Sequence, residues 1–435
     1  MQMKIKTKRI PYERVTALPR PEHRKPLRPN RLLWSLIRVL SIPTLLQTRF
    51  SFRTERMEEI GNQPCLILMN HSCFMDLKIA ARLFYPRPFC IVGTTYSLVG
   101  KKWLMRLLGC IPTQKFVTDM TLISDMKYAL KTLKASVLMF PEAGYSLDGR
   151  TTVLPRHLGV VLKRMKVPVV TVTTYGAFAR DPLYNGLQLR KVHVNAEVRC
   201  IATAEEVQQK SIDELDRLID QAFSFDQFAW QRDEQVAVRE PFRADGLHRV
   251  LYKCASCGAE GEMEGKGIHL TCHHCGKTCE MDAYGQLKAL DGQTVFAHIP
   301  DWFDWQREQV RKSLQEDAYG LDTEVDIGML VDHRALYMVG RGRLTHGRDG
   351  FMLTGCNGQL HYEQSPLASH SLNVDYYWYE IGDVICIGNA DALYYCFPRK
   401  KDVVTRTRIA AELLYEMHRQ DRQQSAPALK PLQNS

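Results

Sequence analysis

A histidine set five residues ahead of an aspartate, His71 and Asp76, is the arrangement in this chain best suited to proton transfer. An imidazole that takes a proton near neutral pH needs a partner to fix its tautomer and stabilise its cation, and a carboxylate does both. On spacing alone the competing reading is a loop histidine beside a helix-capping aspartate. Ser72 and Cys73 lie next to the histidine, but an adjacent residue on an extended segment points away from it, which argues against a nucleophile there. A second constellation is independent of the first. Cys254 and Cys257, each pair followed by a glycine, are matched by Cys272 and Cys275 after a gap of 14 residues. Two such turns present four thiolates to one ion, so the spacing predicts a structural zinc site.

The elements that must hold these residues follow from hydrophobic pattern. Residues 65–69, 89–92, 136–140 and 167–173 are short apolar runs rich in β-branched side chains, with helical stretches at 122–134 and 156–166 between them. Alternation of this kind predicts an α/β domain whose reactive residues sit at strand ends. The run 65–69 delivers Asn70 and His71, and Asp76 opens a helix over 76–83.

The chain has 435 residues, enough for two or three domains, and a net charge of +10 that calls for an anionic partner, nucleic acid or membrane. Thirteen cysteines without an apolar secretory leader point to a reducing compartment. No run of about 18 apolar residues occurs, so no ordinary transmembrane helix is predicted. Residues 1–31 hold ten Lys or Arg against Glu13 and Glu22. The Trp-bearing, Leu-rich stretch that follows suits a helix lying in an anionic membrane interface, against the alternative of a disordered leader and a core helix. Residues 101–108 offer a second such contact.

Four blocks in order resemble the glycerolipid acyltransferase family typified by the lysophosphatidate acyltransferases. They are Asn70-His71 with Asp76; Gly109 to Lys115; Phe140-Pro141-Glu142-Ala143-Gly144-Tyr145-Ser146; and the Val-Pro segment at 167–172. The resemblance covers roughly residues 30–230. It implies acyl transfer without a covalent enzyme intermediate: His71 as general base, Asp76 as its orienter, and backbone N–H groups near a helix start for the oxyanion. The donor implied is an acyl thioester, acyl-CoA or acyl-carrier protein, and the acceptor a hydroxyl of a lysophospholipid-like molecule. Carried over residue by residue, it places Asn70, Lys115, Glu142, Gly144, Tyr145 and Ser146 on the substrate, with Arg150 and Arg156 as further cations. Where the family has phosphate-gripping arginines this chain has Lys115 and Tyr145, which weakens lysophosphatidate itself as the acceptor.

The expected division is a basic arm and interfacial helix at 1–48, the α/β acyltransferase domain at 49–235, a charged linker at 232–249, a small zinc ribbon at 248–290, a β-rich α+β domain at 300–420 resembling a pleckstrin-homology barrel, and a disordered tail at 421–435. The whole reads as a peripheral or monotopic enzyme on the cytoplasmic face of a membrane. A catalytically decayed, membrane-associated scaffold is the alternative. Nucleic-acid binding is not expected, because the cations gather in the arm rather than around the ribbon.

Overall fold

The computed structural model describes residues 4–425 apart from Phe74 and Thr118. A seven-stranded sheet runs in the order Ser51–Glu55, Asn195–Ala202, Val169–Tyr175, Leu66–Met69, Ser136–Met139, Phe89–Thr94, Cys110–Thr113. Its last five strands are parallel. Asn195–Ala202 joins them antiparallel, and Ser51–Glu55 pairs parallel to that strand. Both faces are covered. Ile67 and Met69 enter a core with Trp34 and Ile79, whereas Leu66 and Leu68 enter another with Met126, Leu162, Leu215 and Ile219. A strand buried on both sides is an uninterrupted apolar run, which is why residues 65–69 are legible as a strand. The strands Ser51–Glu55, Cys110–Thr113 and Asn195–Ala202 were not among those expected from pattern. The first is exposed along its length, and the second carries a proline.

A four-stranded antiparallel sheet, in the order Leu287–Ala289, Thr278–Met281, His269–Cys272, Met263–Lys266, carries the second cysteine turn. The expected linker at 232–249 is packed rather than free. Val238, Ala244 and Leu247 are buried, Arg243 Nε donates to the Met281 carbonyl at 2.7 Å, and Asn185 Nδ2 donates to the carbonyls of Phe242 and Asp245 at 2.8 and 2.9 Å.

The β-rich domain orders its strands Leu360–Gln364, Gly350–Gly355, Leu336–Gly347, Leu321–Met329, Leu393–Pro398, Gly382–Gly388, Asn373–Trp378. Among the described residues the two end strands are not hydrogen-bonded to each other through their backbones, so the sheet is open rather than a closed barrel. Helix Val404–Ser425 packs Ile409, Leu413 and Leu414 against Val310 and Leu314 of helix Ile299–Gln315. That last helix corrects the expected tail: residues 421–425 belong to it, and 426–435 lie outside the described residues.

The arm also differs from expectation. Thr7–Arg9 adds to the β-rich sheet, pairing in parallel with Leu336, Tyr337 and Met338. Val15 is buried in the core of that domain, and farther on Arg106 donates to the carbonyls of Arg24 and Lys25 at 3.4 and 3.3 Å. Residues 4–30 therefore strap the β-rich domain to the α/β domain.

Candidate functional site

The strand Leu66–Met69 ends at Asn70, which is wholly buried. Its Oδ1 accepts from the N–H of Thr174 at 2.8 Å and its Nδ2 donates to the Thr174 carbonyl at 3.2 Å. Asn70 thus clamps two strand ends together and has no free polar atom for substrate, a correction to its expected role. Chain direction is fixed there, and His71 follows at the rim.

Nδ1 of His71 lies 2.8 Å from Oδ2 of Asp76, the first residue of helix Asp76–Phe84. A carboxylate only accepts, so Nδ1 carries the proton and Nε2 is left as the base. The same oxygen accepts from the N–H groups of Ser72 and Cys73 at 3.2 and 3.4 Å. Burial pushes the Asp76 carboxyl well above its usual range, and the N–H groups of Ser72 and Cys73 pull it only part of the way back. Side-chain exposure is 18% for His71 and 3% for Asp76. Burial, together with the charge of Lys115, holds the imidazole well below its usual range, so it is neutral and ready to accept a proton at neutral pH. Ser72 and Cys73 are buried, and burial pushes the Cys73 thiol well up, which agrees with the reading that neither is a nucleophile.

The imidazole is sandwiched. Phe140 stacks on one side at 4.2 Å and Tyr145 at 4.1 Å between ring centroids. Glu142 is buried behind them, its carboxylate accepting from the N–H of His71 at 3.2 Å and of Thr152 at 2.9 Å. Burial pushes it up to about 7 and those two N–H groups pull it back. It braces the histidine's backbone rather than facing a substrate. Ala143 takes a left-handed φ of 53° in the turn that makes this possible. The N–H groups of Ala143 and Gly144 bond back to Phe140 and Glu142, so, like those of Ser72 and Cys73, they are already engaged and are not the oxyanion donors.

Lys115 closes the site, its Nζ 5.9 Å from the centroid of Tyr145 and 5.7 Å from that of Tyr96. The other expected contacts are drawn elsewhere. Ser146 is buried and donates to the Arg150 carbonyl at 2.5 Å. Arg150 pairs with Asp148 and reaches across to Asp304 with bonds of 2.8 and 2.7 Å, which fixes it between the α/β domain and helix Ile299–Gln315 and removes it from the acceptor. Tyr96 and Arg408 were not legible in advance. Arg408 belongs to the last helix, and its Nη1 donates to the Tyr145 carbonyl at 3.4 Å. Neither lies in a motif block.

The four cysteine sulfurs all lie within 4.8 Å of one another. Cys254 and Cys275 are 3.8 Å apart, as are Cys257 and Cys272. Sulfurs at the corners of a tetrahedron with bonds of about 2.3 Å are separated by about 3.8 Å, so the cluster fits a metal ion. Gly258 and Gly276 take φ of 76° and 75°, the left-handed conformation each turn requires. The neighbouring Cys279, His273 and His274 are not part of the cluster, and His273 bonds to Glu264 at 3.1 Å.

Helix Arg31–Gln47 carries apolar side chains on both its inward and its outward side. Trp34, Ser41 and Leu45 face inward, Trp34 donating from Nε1 to the Leu108 carbonyl at 3.2 Å. The opposite side exposes Leu32 (82%), Leu46 (72%) and Leu40 (65%), and Trp103 of the neighbouring helix Lys102–Leu107 is 69% exposed. No helix among the described residues is long and apolar enough to cross a membrane.

Residues 49–175 match the family model described as Acyltransferase. A 1-acyl-sn-glycerol-3-phosphate acyltransferase, BAT2, chloroplastic, of Brassica napus is 26% identical over 118 residues, 27% of this chain and 34% of that protein. The chain thus matches about a third of that curated relative's length. The crystal structure of the 1-acyl-sn-glycerophosphate (LPA) acyltransferase PlsC from Thermotoga maritima aligns over 44% of this chain and 76% of that one, at 15% identity and a TM-score of 0.37.

Proposed function

We propose that this chain, whose residues 49–175 form a domain of the PlsC-type acyltransferase family, moves a fatty acyl group from an acyl thioester to the hydroxyl of a lysophospholipid-like acceptor. The observation that carries the reading is the 2.8 Å contact that leaves Nε2 of His71 as a poised base. Nε2 removes the acceptor's hydroxyl proton as that oxygen bonds to the thioester carbonyl carbon. The tetrahedral adduct then expels the thiolate, which receives the proton back from the imidazolium. Asp76 stabilises the cation between those steps, and Phe140 and Tyr145 restrict the ring to its plane. Lys115 supplies a point charge for the acceptor's phosphate. The donor is acyl-CoA or acyl-carrier protein.

The exposed apolar side of helix Arg31–Gln47, with Trp103, supports attachment to a membrane from one side, on the cytoplasmic face if the cysteines are to stay reduced. The four-thiolate cluster would hold zinc. A closed sulfur site leaves no position for substrate, so its part is to tie the ribbon's two turns. The intact dyad favours the enzyme over a decayed scaffold. Release of free thiol from palmitoyl-CoA, measured across a panel of lysolipids, tests the reading. Turnover that His71→Ala abolishes is expected, and turnover that survives His71→Ala defeats it.

A further inference from the structure

The last helix reaches the surroundings of His71 through one buried guanidinium. Arg408 lies in helix Val404–Ser425 and is 5% exposed, as is Glu412 one turn further on. Nε of Arg408 donates to Oε1 of Glu412 at 3.1 Å, and the same oxygen accepts from the hydroxyl of Ser371 at 2.7 Å. Oε2 of Glu412 accepts instead from Nη1 of Arg307, on helix Ile299–Gln315, at 2.6 Å. Burial raises a carboxyl, but the charges of Arg408 and Arg307 outweigh it and hold Glu412 below its usual range. Arg408 is thus anchored at Nε on an ionised partner, and the plane of its fork is set.

Another arm of that fork reaches the α/β domain. Nη1 donates to the carbonyl of Tyr145 at 3.4 Å, across 263 positions of chain. The segment it holds, residues 140–146, supplies both rings that sandwich the imidazole, Phe140 and Tyr145. It also supplies Glu142, which braces the backbone of His71. Burial pushes the Glu142 carboxyl up to about 7, and the charge of Arg408 joins the N–H groups of Thr152 and His71 in drawing it back. Arg408 therefore bears on this segment twice, by a bond at Tyr145 and by its charge at Glu142. A buried ion pair is a weak source of stability. A planar guanidinium with two acceptors set by different elements is a strong source of orientation.

We propose that Arg408 is a positioning residue: anchored on Glu412, it holds the Tyr145 carbonyl so that the Tyr145 ring stays against the imidazole of His71. This rests on the reading of His71 as the base of acyl transfer. Two consequences follow if the ring is released. Water reaches the imidazole, and because burial is the largest influence holding its pKa down, that pKa rises towards the ordinary value of 6.5. The base also loses its fixed plane, which lowers kcat and leaves the binding of both substrates as it was.

The test compares Arg408→Lys with Arg307→Lys in the full chain. Each keeps a positive charge beside Glu412, but only the first removes the fork that spans Glu412 and Tyr145. Two measurements are made: kcat and KM for palmitoyl-CoA with the lysolipid panel, and the pKa of His71 by NMR titration of its Cε1–H, assigned by its loss in His71→Ala. In Arg408→Lys the His71 pKa should rise and kcat should fall by about tenfold or more with KM unchanged. Arg408→Met, which removes the charge as well, should shift both in the same direction. Arg307→Lys should keep the parent values of both, and its melting curve provides the comparison for any general loosening of the two helices. An unmoved His71 pKa in both Arg408 variants, an equal shift in Arg307→Lys, or a shifted pKa beside an unchanged kcat overturns the proposal and leaves acyl transfer standing. A pKa shift confined to the Arg408 variants in a chain that turns over no acceptor upholds the hold on Tyr145 and defeats acyl transfer.

Discussion

Replacing Asp76 by Asn separates the orienting and electrostatic roles of the carboxylate. Oδ2 accepts three hydrogen bonds, from His71 and from the N–H groups of Ser72 and Cys73, so an Asn oxygen at that point keeps all three donors and the histidine tautomer. What it loses is the charge. With charge centres about 4 Å apart and an effective dielectric of about 20, the attraction between imidazolium and carboxylate is about 4 kcal/mol. That energy exists only once His71 has taken its proton, so it enters the barrier in full and predicts a fall in kcat of about a thousandfold. The expected KM is unchanged, because the carboxylate lies behind the histidine and is 3% exposed. The assay is single-turnover thiol release from palmitoyl-CoA with acceptor in excess. Oδ1 of Asp76 is buried without a partner among the described residues, so the new amide must find none either, and a melting curve should record a loss of about 1 to 3 kcal/mol. A fall in kcat of less than about tenfold would refute imidazolium stabilisation as the role of Asp76.

The pH profile should follow from the same site. In the proposed mechanism His71 works deprotonated, and burial places its pKa below the ordinary value of 6.5, so kcat should hold as pH falls to 6.5 and decline only below it; a limb above that value would contradict the proposed role. Metal analysis of the purified chain should find about one zinc per molecule, and Cys257→Ser should lose it and lower the melting temperature, whereas a metal-free chain with unchanged melting would exclude the site. For membrane attachment, Leu40→Glu with Leu46→Glu alters two exposed side chains and should cut sedimentation with anionic liposomes by about tenfold or more without changing stability; unaltered sedimentation would remove the helix from that role.

Some of this was fixed by the sequence alone, because the determinants are local. His71 and Asp76 are five residues apart at a strand end and a helix start, and a separation that short leaves little freedom in how they meet. The cysteine turns are legible for the same reason: each CxxCG carries its own geometry. The apolar run at 65–69 had to be a central strand, since a segment with no polar side can be satisfied only by cover on both faces.

The tertiary structure decided what surrounds those residues. Asn70 and Ser146 stand in motif blocks but spend their polar atoms on the framework, and Arg150 is drawn to Asp304, 154 positions away. No local pattern reports such a partner. The strap Thr7–Arg9 is three exposed residues with no alternation to mark a strand; it becomes one only where Leu336–Met338 offers an unpaired backbone edge. Tyr96 and Arg408 reach the site from separate parts of the chain, Tyr96 beneath Lys115 and Arg408 on the Tyr145 carbonyl. The sequence determined the pairing of His71 with Asp76 through short-range geometry. Which charges and rings surround His71 was settled only when distant parts of the chain packed together, because burial and long-range charge are properties of the assembled fold.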